Sequence, residues 1–110
     1  MAYDEDLALR LQVLLADEAG LTTKRMFGGL AFLVGGNMAV AASSKGGIMV
    51  RVEPGEHDAL LGEPHVSPMI MGGRETRGWL RVSDEGVDSD ADLGAWAARG
   101  VAYARSLPAK

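Results

Sequence analysis

One glycine-rich stretch of the sequence, residues 25–52, constrains the fold more than any other. It contains three short apolar runs that are separated by Gly-Gly-Asn and by Ser-Ser-Lys-Gly-Gly. Glycine and asparagine reach positive φ at little steric cost, so these separators are typical of tight turns between antiparallel strands. We therefore predict strands at residues 30–34, 38–42 and 48–52, with a glycine-containing approach at residues 26–29.

Helices are predicted on both sides of this stretch. The first begins at residues 4–6, whose acidic side chains suit the positive end of a helix dipole, and ends at Gly20. Its apolar stripe, spaced i, i+4, i+7, i+8, consists of Leu7, Leu11, Leu14 and Leu15. A short second helix starts around Pro54, where proline is tolerated in the first turn, and ends at Gly62.

The C-terminal half adds two strands and a third helix. Residues 69–71 and the alternating residues 79–82 are predicted strands, separated by residues 72–78. Ser89 or Asp90 is the predicted N-cap of the last helix, and Pro108 closes it. The order α-βββ-α-ββ-α predicts one α+β domain over residues 1–110, with helices packed on a mostly antiparallel sheet of about five strands.

Composition excludes several classes of protein. The chain has no cysteine, which rules out disulfides, thiolate metal sites and cysteine nucleophiles. The N-terminus is acidic and lacks the apolar segment of a signal peptide. The 19 uncharged residues 26–44 are divided by glycine, asparagine and serine into pieces too short to span a bilayer. We therefore expect a cytoplasmic protein with no membrane association.

Charge is unevenly distributed along the chain. Residues 21–52 carry a net charge of +4 with no acidic residue, whereas residues 1–20 and 53–65 each carry −4. If the strand cations share one open sheet face, that face would attract an anion; the alternative, which we favour, is that they pair with the acidic helices of the same molecule or of a twin subunit. The candidate anion-binding or partner-binding residues are Lys24, Arg25, Arg51, Arg74, Arg77 and Arg81.

No recognisable catalytic, cofactor-binding or metal-binding motif accompanies these cations. The glycine pairs match neither dinucleotide-binding nor P-loop spacing. His57 and His65 are predicted surface residues, and the sequence Ser-Ser-Lys at residues 43–45 is predicted to be a hairpin tip rather than a serine–lysine pair. We therefore predict no catalytic residues, no cofactor and no metal.

Five methionines and two tryptophans occur in or near the predicted strands and the last helix. Methionine repacks easily, so these residues either line an adaptable apolar pocket or, as we favour, fill the core between sheet and helices. The tryptophans are predicted to be core or interface residues. The residues concerned are Met26, Met38, Met49, Met69, Met71, Trp79 and Trp96.

Three places in the chain together resemble one known family. They are residues 25–29 after the leucine-rich helix, the hairpin at residues 32–39, and residues 71–74 with 78–82. This combination resembles the N-terminal domain of the TfoX/Sxy group of bacterial proteins over about residues 7–105. The resemblance implies an α+β domain with a curved antiparallel sheet and transfers no catalytic residue. In the regulators of DNA-uptake competence this domain is joined to a C-terminal helical domain; because the present sequence stops at Lys110, we expect a stand-alone form.

Three functional hypotheses follow. The first is a non-enzymatic bacterial module that acts through protein contacts, as a homodimer, with a link to transcription or DNA-uptake competence. The second is a nucleic-acid or small-anion binder that uses the basic strands, whose binding would weaken steeply with salt. The third is an uncharacterised enzyme with a methionine-lined pocket. The acidic pI of about 5.0 disfavours general DNA binding.

Overall fold

Three helices and six strands are found in the part of the chain that the structure describes. The computed structural model describes residues 5–26, 29–44 and 46–108, without the side chains of Met26 and Met71. The elements are α1 (Glu5–Leu14), β1 (Leu21–Met26), β2 (Gly29–Val34), β3 (Asn37–Ala42), β4 (Ile48–Arg51), α2 (His57–Leu61), β5 (Val66–Met71), β6 (Arg74–Val82) and α3 (Asp90–Ser106), with short 3-10 turns at Pro54–Glu56 and Asp84–Val87.

The strands form one antiparallel sheet in the order β1-β2-β3-β4-β6-β5. The α+β class is confirmed, but the sheet has six strands rather than about five. The additional strand is β1, whose Thr-Thr-Lys-Arg centre shows no apolar alternation because all four side chains are exposed. The last strand is also longer than predicted: β6 begins at Arg74, and the turn before it is only Gly72-Gly73, both at positive φ.

The helix ends follow local signals in part: a 3-10 turn begins at Pro54, where the second helix was predicted to start, and α2 itself begins at His57. The Ser89 hydroxyl caps α3 by accepting the Asp92 N–H at 3.1 Å, and Gly62 caps α2, both as predicted. In contrast, α1 ends at Leu14, well before Gly20. The predicted stripe is also wrong at Leu14, which is 40% exposed, while Ala8 is buried in its place. The predicted helix start at residue 4 lies outside the described residues.

Both long helices pack on the same face of the sheet, which we call the helix face. α3 contacts β2, β3 and β4, and α1 contacts α3 and β3. A register shift between Phe32 and Leu33 leaves Ala39 as a bulge on β3. Gly100 of α3 lies directly on this bulge, and a Cβ at that position would collide with the Ala39 carbonyl oxygen. The glycine therefore permits the close approach of helix and sheet.

A second apolar cluster lies on the opposite face, which we call the methionine face. Its buried members among the described residues all come from strands, and Leu33 and Trp79 pack beside them. The favoured prediction that the methionines fill the core between sheet and helices is therefore wrong for three of them. The buried members are Ala31, Met38, Ala41, Met49 and Met69.

Candidate partner-binding surface

The structure distributes the six predicted cations over different parts of the surface. Residues opposite one another in an antiparallel pair share a face of the sheet. Lys24 opposite Ala31, Arg51 opposite Trp79 and Arg81 opposite Met49 therefore belong to the methionine face. Arg25 lies opposite Leu30, on the helix face. Arg74 is exposed beside the β5–β6 turn.

Arg77 has an acidic partner on a helix. Its guanidinium nitrogens lie 3.3 and 3.4 Å from the carboxylate oxygens of Asp58 on α2. Both side chains are exposed, so the pair contributes little to stability. This is the kind of contact between a basic strand and an acidic helix that the sequence led us to favour.

Two of the cations on the methionine face are engaged within the molecule. Arg81 Nη2 donates a hydrogen bond to the hydroxyl oxygen of buried Ser43 at 3.0 Å. The guanidinium carbon of Arg51 lies 5.5 Å from the ring centroid of Trp79 and 5.3 Å from that of Tyr103. Such cation–π geometry orients Arg51 between two aromatic rings. The structure therefore does not bring the six cations together into one anion-binding patch.

His57 is fully buried, so the prediction of a surface residue is wrong for it, while His65 is exposed. The Nδ1 atom of His57 accepts a hydrogen bond from the Gly78 N–H at 3.0 Å. The ring proton must therefore reside on Nε2, which lies 3.1 Å from a Glu75 carboxylate oxygen. Both ring nitrogens are therefore occupied in joining α2 to β6.

The Ser-Ser-Lys sequence at residues 43–45 is the remaining candidate for catalysis, and its first serine has a structural role. The hydroxyl of Ser43 is buried and accepts the hydrogen bond from Arg81, and Lys45 lies outside the described residues. Within residues 5–26, 29–44 and 46–108, no cluster of three or more His, Asp or Glu side chains could hold a metal ion. None of the helices in the same ranges combines the length and the apolar character that a membrane crossing requires.

The most conspicuous surface lies where α1 and α3 run side by side. α1 exposes three large apolar side chains: Leu9 is 56%, Val13 is 70% and Leu14 is 40% exposed. Leu14 lines a groove of about 370 Å³ whose α3 wall includes the small residues Gly94, Ala98 and Ala102, whereas Leu9 lines a different hollow together with Arg25. We call Val13 and Leu14 the α1 ridge, and this ridge and the groove together the α1–α3 face. It joins exposed apolar surface to a concave site on one side of the molecule.

Two ion pairs hold the helices of the α1–α3 face in place. Arg10 Nε lies 3.0 Å from Asp90, and its Nη2 donates to the Val87 and Asp88 carbonyl oxygens, each at 3.0 Å. At the other end, Arg105 Nη2 lies 2.9 Å from Glu18 and also donates to the Ala19 carbonyl oxygen. These four charges are therefore paired within the molecule.

Fold and surface together define a small α+β domain with two helices on one face of an antiparallel sheet and an apolar interhelical groove. The chain belongs to the TfoX N-terminal domain family, whose sequence model matches residues 13–104. The resemblance noted from the motifs is thereby confirmed. Comparison with individual curated proteins and with solved structures gave no match.

Proposed function

We propose that this domain is a non-enzymatic protein-interaction module that self-associates through the α1–α3 face. The observation that carries the proposal is the position of the exposed apolar residues. Among the described residues, three of the four large hydrophobic side chains with high exposure lie on α1, and one of these three, Leu14, lines the groove beside α3; the fourth is Ile70 on β5. Exposed apolar surface of this kind marks protein interaction sites.

The shape of the face favours a second copy as the partner. A two-fold interface places the same patch of both subunits together, so it must be self-complementary. The α1 ridge of one subunit, which includes Val13, can enter the groove of the other, where Ala98 and Ala102 leave room. The second subunit makes the same contact in return.

The electrostatics also favour a second copy. An identical surface carries identical charge, so a strongly charged face would repel itself. Here Arg10 is paired with Asp90, and Arg105 with Glu18. Desolvating the apolar centre would leave these pairs at the rim, where polar groups of interfaces usually lie.

The biological setting that we propose is regulatory and cytoplasmic. Membership in the TfoX N-terminal domain family supports a connection to bacterial transcription or DNA-uptake competence. The structural roles of His57 and Ser43, which hold buried hydrogen bonds, support a function without catalysis. Nucleic-acid binding is less favoured because Arg51, Arg77 and Arg81 are each engaged with neighbouring side chains.

Self-association is tested by size-exclusion chromatography with light scattering on the wild-type chain and on Val13→Glu. We expect a dimer for the wild type and a monomer for the variant, because two carboxylates would be buried without partners. Ile70→Glu is the matched control, since Ile70 is 57% exposed but lies on β5. It should remain dimeric.

The same runs with mixed nucleic acid at low and high salt test the competing function. The dimer should elute unchanged at both salt concentrations. A wild-type monomer, or a dimer that persists in Val13→Glu, would refute self-association through this face. A shift with nucleic acid that disappears at high salt would favour the nucleic-acid binder instead.

A further inference from the structure

The two edges of the sheet differ in how open they are to another strand. β5 forms one edge; it contains Pro68, its pairing with β6 is irregular between Pro68 and Ile70, and α2 packs against it. β1 forms the other edge and pairs with β2 without any register shift over Leu21–Met26. Proline, irregular pairing and charged side chains protect an edge strand from additional pairing, and of these β1 has only the charged side chains.

The hydrogen-bonding pattern shows which backbone groups of β1 point away from the sheet. The Gly35 N–H donates to the Gly20 carbonyl oxygen at 3.2 Å, so these two residues form a hydrogen-bonded pair. Such pairs alternate along an antiparallel ladder. In the continuous register of β1 and β2, Thr22 and Lys24 therefore bond to β2, while the N–H and C=O groups of Thr23 and Arg25 point outward.

The side chains of β1 make this open edge cationic. All side chains of residues 22–25 are exposed, with Lys24 on the methionine face and Arg25 on the helix face. Over the part of the chain that the structure describes, neither cation has an acidic group within 4 Å. Cationic side chains on an edge strand deter pairing with an identical edge and attract an acidic one.

We infer that the outer edge of β1 is a binding site for an extended acidic segment of a partner protein. The segment would add a seventh strand, with its backbone bonded to Thr23 and Arg25 and its carboxylates beside Lys24 and Arg25. In this mode of recognition the main-chain bonds supply affinity and the side chains supply specificity. The site is separate from the α1–α3 face and does not depend on self-association.

The two cations should contribute unequally. Arg25 lines a surface hollow together with Glu5 and Asp6 of α1, whose negative charges offset its own. Lys24 lies on the other face of the strand, opposite Ala31. We therefore expect Lys24 to supply the larger part of the attraction for an acidic segment.

The probe for this site is the peptide Thr-Ile-Glu-Glu-Val-Thr with acetylated and amidated ends, and its matched control contains Lys-Lys in place of Glu-Glu. Amide hydrogen exchange of the full chain is followed by NMR with increasing peptide. The acidic peptide should slow exchange at Thr23 and Arg25, whose amides point outward, more than at Thr22 and Lys24, whose amides are already bonded to β2. The lysine peptide should have no effect.

Two variants complete the test. Thr23→Pro removes an outward N–H without removing any bond to β2, and it should abolish binding of the acidic peptide. Lys24→Glu keeps the backbone intact and should weaken binding about tenfold, more than Arg25→Glu does. If Thr23→Pro does not fold, Lys24→Glu and the exchange pattern still decide the outcome.

Equal binding of both peptides, protection away from β1, or no saturable binding would overturn the inference. Arg25→Glu weakening binding as much as Lys24→Glu would overturn the assigned role of Lys24. Chromatography of the same samples keeps this site distinct from the proposed function. A monomeric chain that binds the acidic peptide along β1 would refute self-association alone, whereas a dimer that ignores the peptide would refute the edge site alone.

Discussion

The two faces of the sheet are both buried, but different side chains accomplish the burial. The helix face uses branched aliphatic residues such as Val40 on β3 and Ile48 on β4, two strands that α3 contacts, and Leu80 on β6. The methionine face combines alanines at Ala31 and Ala41 with long, flexible side chains. β-branched residues have few rotamers and fit a rigid helix surface, whereas methionine adapts its shape to its neighbours. Side chains with few rotamers are thus found where helices pack on the sheet. Flexible side chains are found on the face whose buried cluster comes from strands alone.

A pair of alanine substitutions tests this difference in rigidity. Leu80→Ala on the helix face should lower the free energy of unfolding by about 4 kcal/mol, because Leu80 is fully buried and its branched aliphatic neighbours cannot collapse into the cavity. Met49→Ala on the methionine face should cost about 2 kcal/mol, because neighbouring methionines can move into the space. Urea denaturation measures both. Equal losses would show that the two faces are equally rigid.

Alanine substitutions of two glycines of α3 test how closely this helix packs on the sheet. Gly100→Ala should cost about 3 kcal/mol, because its Cβ would collide with the Ala39 carbonyl and force α3 away from the sheet. Gly94→Ala is the matched control on the same helix. Its Cβ would meet only Leu14 Cδ2, at 3.9 Å, so the higher helix propensity of alanine should stabilise the fold by about 0.5–1 kcal/mol.

Both glycine variants are best compared in the Val13→Glu background, because Gly94 lines the groove through which self-association is proposed. Thermal unfolding of the monomeric proteins then reports on packing within one subunit. Similar melting temperatures for the two variants would contradict the close contact between Gly100 and the β3 bulge.

The smallest expected effects concern two arginines of β6. Arg81→Gln should cost about 1–2 kcal/mol, since it alters a hydrogen bond to the buried hydroxyl of Ser43. Arg77→Gln should cost about 0.5 kcal/mol or less, since Arg77 and Asp58 are both exposed. Raising the salt concentration should erase the effect of Arg77→Gln but not that of Arg81→Gln. Neither variant should change nucleic-acid retention, and a loss of retention would favour the nucleic-acid binder.

Strands bounded by turn residues were predictable because their signals are local. Gly35 and Gly36 take up φ of 61° and 83° between β2 and β3, a conformation that the Gly-Gly-Asn sequence indicates directly. β1 gave no such signal: it is an edge strand with exposed Thr, Lys and Arg side chains, stabilised by its ladder with β2. Apolar alternation marks only strands that bury one face, which explains why the sequence did not predict β1.

The candidate sites were less predictable than the strands. Alternation shows that Met49 points away from its neighbours Ile48 and Val50, but not which of the two faces carries the helices. The exposure of Leu14 on α1 could not be predicted from the sequence, because Leu14 and Leu15 are equally suited to the buried stripe of a helix. Only the packing of α1 beside α3 leaves Leu14 at the surface while burying Leu15.

The sequence by itself determined the turns, the Ser89 cap, the α+β class and the family, because glycine conformation, capping and apolar periodicity act over a few neighbouring residues. The tertiary structure decided which residues are buried together. His57 bonds to Gly78, 21 residues away, and Arg10 to Asp90, 80 residues away. Such partners depend on how the helices dock on the sheet, and the free energy of docking is shared among many distant contacts, none of which has a local signature.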